Sequence, residues 1–143
     1  MISEKRYSIL IVDDESMNIS ILKYILGSEY KIYASSDGED AIEAAEEFKP
    51  DIILLDIIMP GIDGYEVLAA LKTSEKTYNI PVIFISGLDS ANDEEKCLAL
   101  GAAGYITKPF QIGNVKLQVK KHINLIESAK ENNERIDLNV LLR

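Results

Sequence analysis

Residues 51–64 read DIILLDIIMPGIDG and contain the most apolar predicted strand of the chain. The run Ile52–Leu55 is continuously apolar and ends at the carboxylate of Asp56. A short apolar run of this kind is typical of a strand that is buried on both faces of a parallel sheet. One proline and two glycines within residues 57–64 predict a loop directly after it. The stretch therefore predicts a buried strand with an acidic residue at its carboxyl end.

The same unit of a short apolar run followed by a helical stripe recurs on both sides of this stretch. Strands are predicted at Ile9–Val12, Tyr30–Ala34, Ile52–Leu55, Pro81–Ile85 and Gly104–Ile106. Helices are predicted at Ser16–Leu26, at Ala41–Phe48 with Ser36 or Asp37 as the N-cap, at Tyr65–Leu71, at Ser90–Leu100 and from Ile112 to about Ile126. Strands that alternate with helices predict an α/β fold, in which a parallel sheet carries helices on both faces.

Length and composition predict one globular domain. The 143 residues fall within the roughly 100–200 residues of a single domain. Hydrophobic residues make up 47% of the chain, which excludes wholesale disorder. The repeating units are complete by about residue 127. Residues 128–143 start polar and finish apolar, so we interpret them as a C-terminal helical extension or as a linker helix toward an effector or a dimer partner.

Charge and cysteine content exclude several classes of function. A net charge of −9 disfavours nucleic-acid binding, which requires Lys and Arg to neutralise phosphates, and disfavours an anionic membrane surface. The single cysteine, Cys97, excludes an internal disulfide framework and a cysteine-rich zinc site. No window approaches the roughly 20 apolar residues of a membrane span, and the apolar run near the N-terminus is too short for a signal peptide. We expect a cytoplasmic protein.

Polar residues with reactive or metal-binding side chains follow the predicted strands. They are Asp13, Asp14, Asp56, Ser86 and Lys108. Ligands of open α/β sheets bind beyond the carboxyl ends of the strands, so we expect these side chains to converge at one edge of the sheet. Clustered carboxylates repel one another unless a cation lies among them, and carboxylates without His or Cys favour Mg²⁺ over zinc. A carboxylate can also attack a phosphoryl group and form an aspartyl phosphate.

These residues occur in four motifs that resemble the receiver domain of two-component response regulators. The motifs are Asp13-Asp14, Asp56 followed by Met59-Pro60-Gly61-Ile62-Asp63-Gly64, Ser86-Gly87, and Lys108-Pro109-Phe110. Each motif alone is weak, but all four occur in order and each lies at a strand end. The resemblance covers residues 7–126 and implies a doubly wound, flavodoxin-like (βα)5 domain with strand order 2-1-3-4-5 in residues 1–127.

The resemblance implies a metal-dependent phosphorylation site. Asp56 is then the phosphoacceptor. Asp13, Asp14, Asp56 and the backbone carbonyl of Ile58 are expected to hold Mg²⁺, with Mn²⁺ as an alternative ion.

The resemblance also implies roles for residues on the last two strands. Lys108, Ser86 and Gly87 are expected to stabilise the phosphoryl group. Ser86 and Tyr105 are expected to act as the switch that responds to it. The bond between Lys108 and Pro109 is expected to be cis, which only an X-Pro bond adopts at low cost.

Two positions depart from the commonest pattern of this family. They are Ile58 and Leu88, the residues two past the acceptor and two past the switch hydroxyl, and both are apolar. Neither side chain can orient an attacking water, so we predict a slow loss of the phosphoryl group.

The resemblance implies a signalling role rather than an enzymatic one. A sensor histidine kinase, a phosphotransfer protein or an acyl phosphate would supply the phosphoryl group. The surface of the fourth helix, fifth strand and fifth helix would then control a partner or an attached effector, or form a homodimer. The domain would catalyse only its own phosphorylation and dephosphorylation, with no direct contact to nucleic acid or membrane.

Alternatives from other classes are weaker. A Mg²⁺-dependent aspartyl phosphatase usually needs a second acid where Ile58 stands. A flavodoxin-like cofactor binder needs a phosphate-binding loop where residues 13–15 are all acidic. A receiver domain that acts by docking, without being phosphorylated, is a further alternative. His122 and Cys97 are interpreted as packed residues of helices.

Overall fold

The computed structural model describes residues 6–87 and 91–141, and within them it contains five strands and five helices. The strands are β1 (Ser8–Val12), β2 (Lys31–Ser35), β3 (Ile52–Asp56), β4 (Val82–Ser86) and β5 (Gly104–Thr107). The helices are α1 (Ser16–Leu26), α2 (Gly38–Phe48), α3 (Gly64–Thr73), α4 (Ala91–Ala99) and α5 (Ile112–Leu141). The strands form one parallel sheet in the order β2-β1-β3-β4-β5, which confirms the predicted fold class and strand order.

Several predicted boundaries shift. β2 begins at Lys31 rather than Tyr30, because the amide of Tyr30 donates to the Leu26 carbonyl at the end of α1 (3.1 Å). β3 and β4 each end one residue later than predicted, and β4 also begins one residue later, so Asp56 and Ser86 are the last residues of their strands. Of the two residues predicted as the N-cap of α4, Ser90 lies outside the described residues, and Asn92 lies within the helix, which begins at Ala91.

The predicted end of the last helix near residue 126 is wrong, because α5 continues to Leu141. The last proline and the last glycine of the sequence are Pro109 and Gly113, so no helix-breaking residue follows the first turn of α5. The helix is tied to the start of β1 where the Lys130 ammonium lies 5.4 Å from the centre of the Tyr7 ring. No helix within residues 6–87 and 91–141 is long and apolar enough to cross a membrane.

Alternate residues of the strands face two separate apolar layers. On one face, Leu10 and Val12 pack with residues of α2, α3 and α4. On the other face, Ile9 and Ile11 pack with residues of α1 and α5. All five side chains of β3 are buried, as expected for the central strand of a sheet covered on both sides. Each fully buried Leu or Ile contributes roughly 1.5–3 kcal/mol relative to exposure.

The loop after β3 folds back closely onto the end of that strand. The amide of Gly64 donates to the carbonyl of Ile57 at 2.7 Å. A Cβ at position 64 would lie only 2.4 Å from the Asp56 carbonyl oxygen and 2.8 Å from the Ile57 Cα. Only glycine fits this approach, which fixes the start of α3 against the backbone of Asp56. The side chain of Asp63 caps α3 by accepting from the Glu66 amide (2.9 Å).

The single histidine is packed against the amino-terminal end of β5. His122 of α5 is 6% exposed, and its Nε2 has no hydrogen-bond partner among the described residues. A Cβ on Gly104 would lie 3.1 Å from that Nε2. The expected packing role of His122 is therefore confirmed, and the glycine at position 104 makes room for the ring.

Replacing Gly64 with alanine is expected to lower the free energy of unfolding by about 1–3 kcal/mol, because backbone atoms must move to admit the methyl group. Gly113→Ala is the matched control, since no atom lies within 4 Å of a Cβ there and alanine favours helix. Urea unfolding of both variants tests this difference. Equal stability of the two variants would contradict the close packing at Gly64.

The stability of the fold is expected to fall in mild acid partly through His122. Burial, with a smaller contribution from the charge of Lys121, lowers the pKa of His122 below its usual value. The folded state therefore binds this proton less readily than the unfolded state. The stabilisation is complete above the unfolded pKa of about 6.5 and is lost as the pH falls toward the folded pKa.

Urea unfolding at about pH 7.5 and about pH 5.5 measures this effect against His122→Met, which cannot titrate. We expect the wild type to lose more stability than the variant over this interval, and identical losses would contradict the assignment.

Candidate functional site

The carboxyl edge of the sheet brings together residues that are far apart in sequence. Asp13 follows β1, Asp56 ends β3 and Lys108 follows β5. The Nζ of Lys108 lies 3.0 Å from Asp13 Oδ2 and 3.3 Å from Asp56 Oδ1. One ammonium therefore bridges two carboxylates that are both almost completely buried.

Asp14 completes a cluster of three carboxylates. One oxygen from each of Asp13, Asp14 and Asp56 lies within 4.8 Å of the others, and Asp14 is the exposed member. The second oxygen of Asp13, Oδ1, accepts from the amide of Glu15 (2.9 Å), which fixes the orientation of that carboxylate. Oxygen donors without His or Cys suit a hard cation such as Mg²⁺. The residues present therefore fit a magnesium ion.

The electrostatics of the cluster show an excess of negative charge. Burial, and then the charge of Asp13, raise the pKa of Asp56 to about 6, although Lys108 opposes the change. Burial alone would lower the pKa of Lys108, but its hydrogen bond to Asp13 and the charge of Asp56 outweigh burial and raise it. A second cation among the carboxylates would relieve this repulsion.

A cavity of about 330 Å³ opens above these side chains. Its lining residues are Asp14, Glu15, Asp56, Ile58, Ser86, Gly87 and Lys108. Ser86 is buried, and its carbonyl accepts from the amide of Lys108 (2.8 Å), so the pairing of β4 with β5 places both at the cavity. The side chain of Ile58 is 64% exposed and lines the cavity.

Of the remaining predicted residues, Gly87 and the Lys108–Pro109 bond lie at this edge. Gly87 lines the cavity, and Tyr105 lies half-buried on β5 against the apolar layer of α2, α3 and α4. The peptide bond between Lys108 and Pro109 is cis, as predicted. Leu88 lies outside the described residues.

Two features of the site were missed in the sequence. Glu15 lines the cavity and continues the acidic run that begins at Asp13, a run that the sequence used only as an argument against a phosphate-binding loop. Glu15 is the N-cap residue of α1, but its side chain makes no capping hydrogen bond. Tyr65, which directly follows Gly64, contacts α4. Its position in the apolar stripe of the predicted helix indicated only a packed residue.

Comparison with known proteins agrees with this geometry. The sequence description of the "Response regulator receiver domain" family matches residues 9–120. A probable cyclic di-GMP phosphodiesterase from Vibrio cholerae is 40% identical over 116 residues, which are 81% of this chain and 26% of that protein. The chain therefore spans about a quarter of the length of that relative.

Two solved structures share the fold of this chain. The receiver domain of a sensor histidine kinase from Pseudomonas aeruginosa, with magnesium coordinated in its active-site cleft, is 28% identical, with a TM-score of 0.77 over 84% of this chain and 99% of that one. A CheX–CheY complex with BeF3 and Mg from Borrelia burgdorferi is 33% identical, with a TM-score of 0.75 over 80% of this chain and 87% of that one. With its parallel sheet and its clustered acidic residues, this chain belongs to the response regulator receiver domain family.

Proposed function

We propose that this chain is a phosphorylation-operated switch whose phosphoacceptor is Asp56. The observation that carries the proposal is the contact of Lys108 with both Asp13 and Asp56 at the floor of a cavity large enough for a phosphoryl group. The donor would be a histidine kinase, a phosphotransfer protein or a small acyl phosphate.

In the proposed reaction, a carboxylate oxygen of Asp56 attacks the phosphorus atom of the donor. The bond from phosphorus to the donor's imidazole nitrogen or acyl oxygen breaks, and the donor keeps the electron pair. The ammonium of Lys108 can pair with the carboxylate before the transfer and with the phosphoryl oxygens after it. Mg²⁺, with Mn²⁺ as an alternative, would neutralise the negative charge that Lys108 alone does not balance. Its ligands would be Asp13, Asp14, Asp56 and the carbonyl of Ile58.

The response to phosphorylation would spread to the surface of α4, β5 and α5. Ser86 and Gly87 line the same cavity as Asp56, so Ser86 can donate to a phosphoryl oxygen there. Tyr105, two residues before the end of β5, would then change its packing. This is a local change of charge that biases a two-state element.

The output would pass to a partner, to a homodimer or to an attached effector. Residues 1–127 would form the receiver, and residues 128–143 would form a linker that continues α5. The relative from Vibrio cholerae supports a phosphodiesterase as one such attached effector. The receiver itself would catalyse only its own phosphorylation and dephosphorylation, in the cytoplasm where such donors are made.

Acetyl phosphate with Mg²⁺ is expected to add one phosphoryl group to the wild type, as measured by intact mass. Asp56→Asn should gain none, because an amide oxygen is a poor nucleophile, and EDTA should abolish the gain. Asp40→Asn, an exposed carboxylate of α2, is the matched control and should behave as the wild type.

Two negative results have different meanings. No mass gain with Mg²⁺ binding intact would indicate a receiver that accepts only from its own kinase. No gain and no Mg²⁺ binding would contradict the proposal and favour a domain that acts by docking alone.

The aspartyl phosphate is expected to decay slowly, because the apolar side chain of Ile58 cannot orient a water at the cavity. Ile58→Asn should shorten its lifetime about fivefold, which is the effect of one added hydrogen bond of about 1 kcal/mol to the attacking water. Ile58→Val is the apolar control. Decay of the wild-type phosphoprotein within seconds, or equal decay in both variants, would refute the role of Ile58.

A further inference from the structure

The described side chains of helix α4 bury little apolar surface against the rest of the domain. Among its side chains that the structure describes, residues 93–99, only Cys97 is buried. Leu98 is 47% exposed, and the first turn carries Asp93 and Glu94. A helix that buries one small side chain gains little from the apolar layer beneath it. Its position therefore depends on specific polar and aromatic contacts as well as on burial.

Two consecutive residues of α4 contact the same ring. The Nζ of Lys96 lies 4.4 Å from the centre of the Tyr65 ring, within the range of a cation–π interaction. The Sγ of Cys97 lies 4.0 Å from the Tyr65 hydroxyl. The same ring packs edge-on against Phe84 of β4, with centroids 5.5 Å apart. Tyr65 therefore connects α4 to the central sheet.

Tyr65 is also linked to the phosphoacceptor through the backbone. It follows Gly64, whose amide donates to the Ile57 carbonyl and where a Cβ would lie 2.4 Å from the Asp56 carbonyl oxygen. Because no space separates Gly64 from the backbone of Asp56, a shift of that backbone must displace the first turn of α3. The Tyr65 ring lies on that turn and would carry the displacement to Lys96.

We propose that Tyr65 is a positioning residue that holds α4 in its resting place and transmits the state of Asp56 to it. The proposal rests on the proposed function, because it concerns the surface through which the switch would act. It adds a route through Gly64 and Tyr65 to the one expected through Ser86 and Tyr105. Burial raises the pKa of Tyr65 to about 12, so the ring stays neutral and available to the Lys96 ammonium.

Hydrogen exchange of the α4 amides in metal-free protein tests the restraint. Lys96→Met should raise exchange about two- to fivefold, the range for an exposed cation–π contact. Tyr65→Leu should raise it at least as much, whereas Tyr65→Phe keeps the ring and should stay close to the wild type. Lys76→Met, an exposed lysine of the loop after α3, is the matched control and should change nothing.

The double variant Lys96→Met/Tyr65→Leu separates a direct contact from independent effects. If Lys96 acts through the ring, the double variant should exchange no faster than Tyr65→Leu alone. Additive effects, or α4 exchange equal to the wild type in both single variants, would overturn the proposal.

The apparent affinity for Mg²⁺ with beryllofluoride, a phosphoryl analogue, tests the link to Asp56. If α4 must leave its resting place in the active state, the substitutions that free it, Lys96→Met and Tyr65→Leu, should tighten analogue binding. The expected gain in affinity is up to the same two- to fivefold. Faster exchange with unchanged affinity would refute the link, although Asp56 could still be a phosphoacceptor. Failure of the wild type to bind the analogue would refute both the proposed function and the link.

Discussion

The ammonium of Lys108 lies between two buried carboxylates, and the carboxyl edge of the sheet is organised around this contact. Asp13 and Asp56 come from the ends of neighbouring central strands, where a parallel sheet necessarily brings them together. Burial, and then the charge of Asp13, raise the pKa of Asp56 to about 6 even with the ammonium present. A site with too much negative charge for one lysine has a physical reason to bind a divalent cation and to respond when a phosphoryl group changes the charge.

The fold was predictable because its signals are local. Each apolar run is short, each ends at a polar residue, and the run Ile52–Leu55 is typical of a strand in a parallel sheet covered on both faces. The site residues were predictable for the same reason, since Asp56 and Lys108 lie where strands end. Their convergence follows from the topology, because parallel strands have their carboxyl ends at the same edge of the sheet.

What the sequence did not predict depends on contacts between distant segments. The exception is the end of α5, which was predicted near residue 126 although nothing in the following residues breaks a helix. Gly104 could be recognised only as a residue at the start of a strand. Its role in admitting the His122 ring depends on how α5 lies across β5. Tyr65 likewise has the spacing of a packed residue, and its contacts with α4 are set by tertiary packing.

The weak attachment of α4 has a functional logic. Elements that move in a switch are drawn from the least stable parts of a fold, because a well-packed helix would need more energy to shift than a phosphoryl group supplies. Here the apolar layer retains Cys97 alone among the described α4 side chains, while Lys96 supplies a contact that can break without opening the core. Helix α3, in contrast, buries Val67, Leu68 and Leu71 and is locked at Gly64. In the proposed route, a firmly packed α3 would pass a small displacement of its first turn through Tyr65 to the less buried α4.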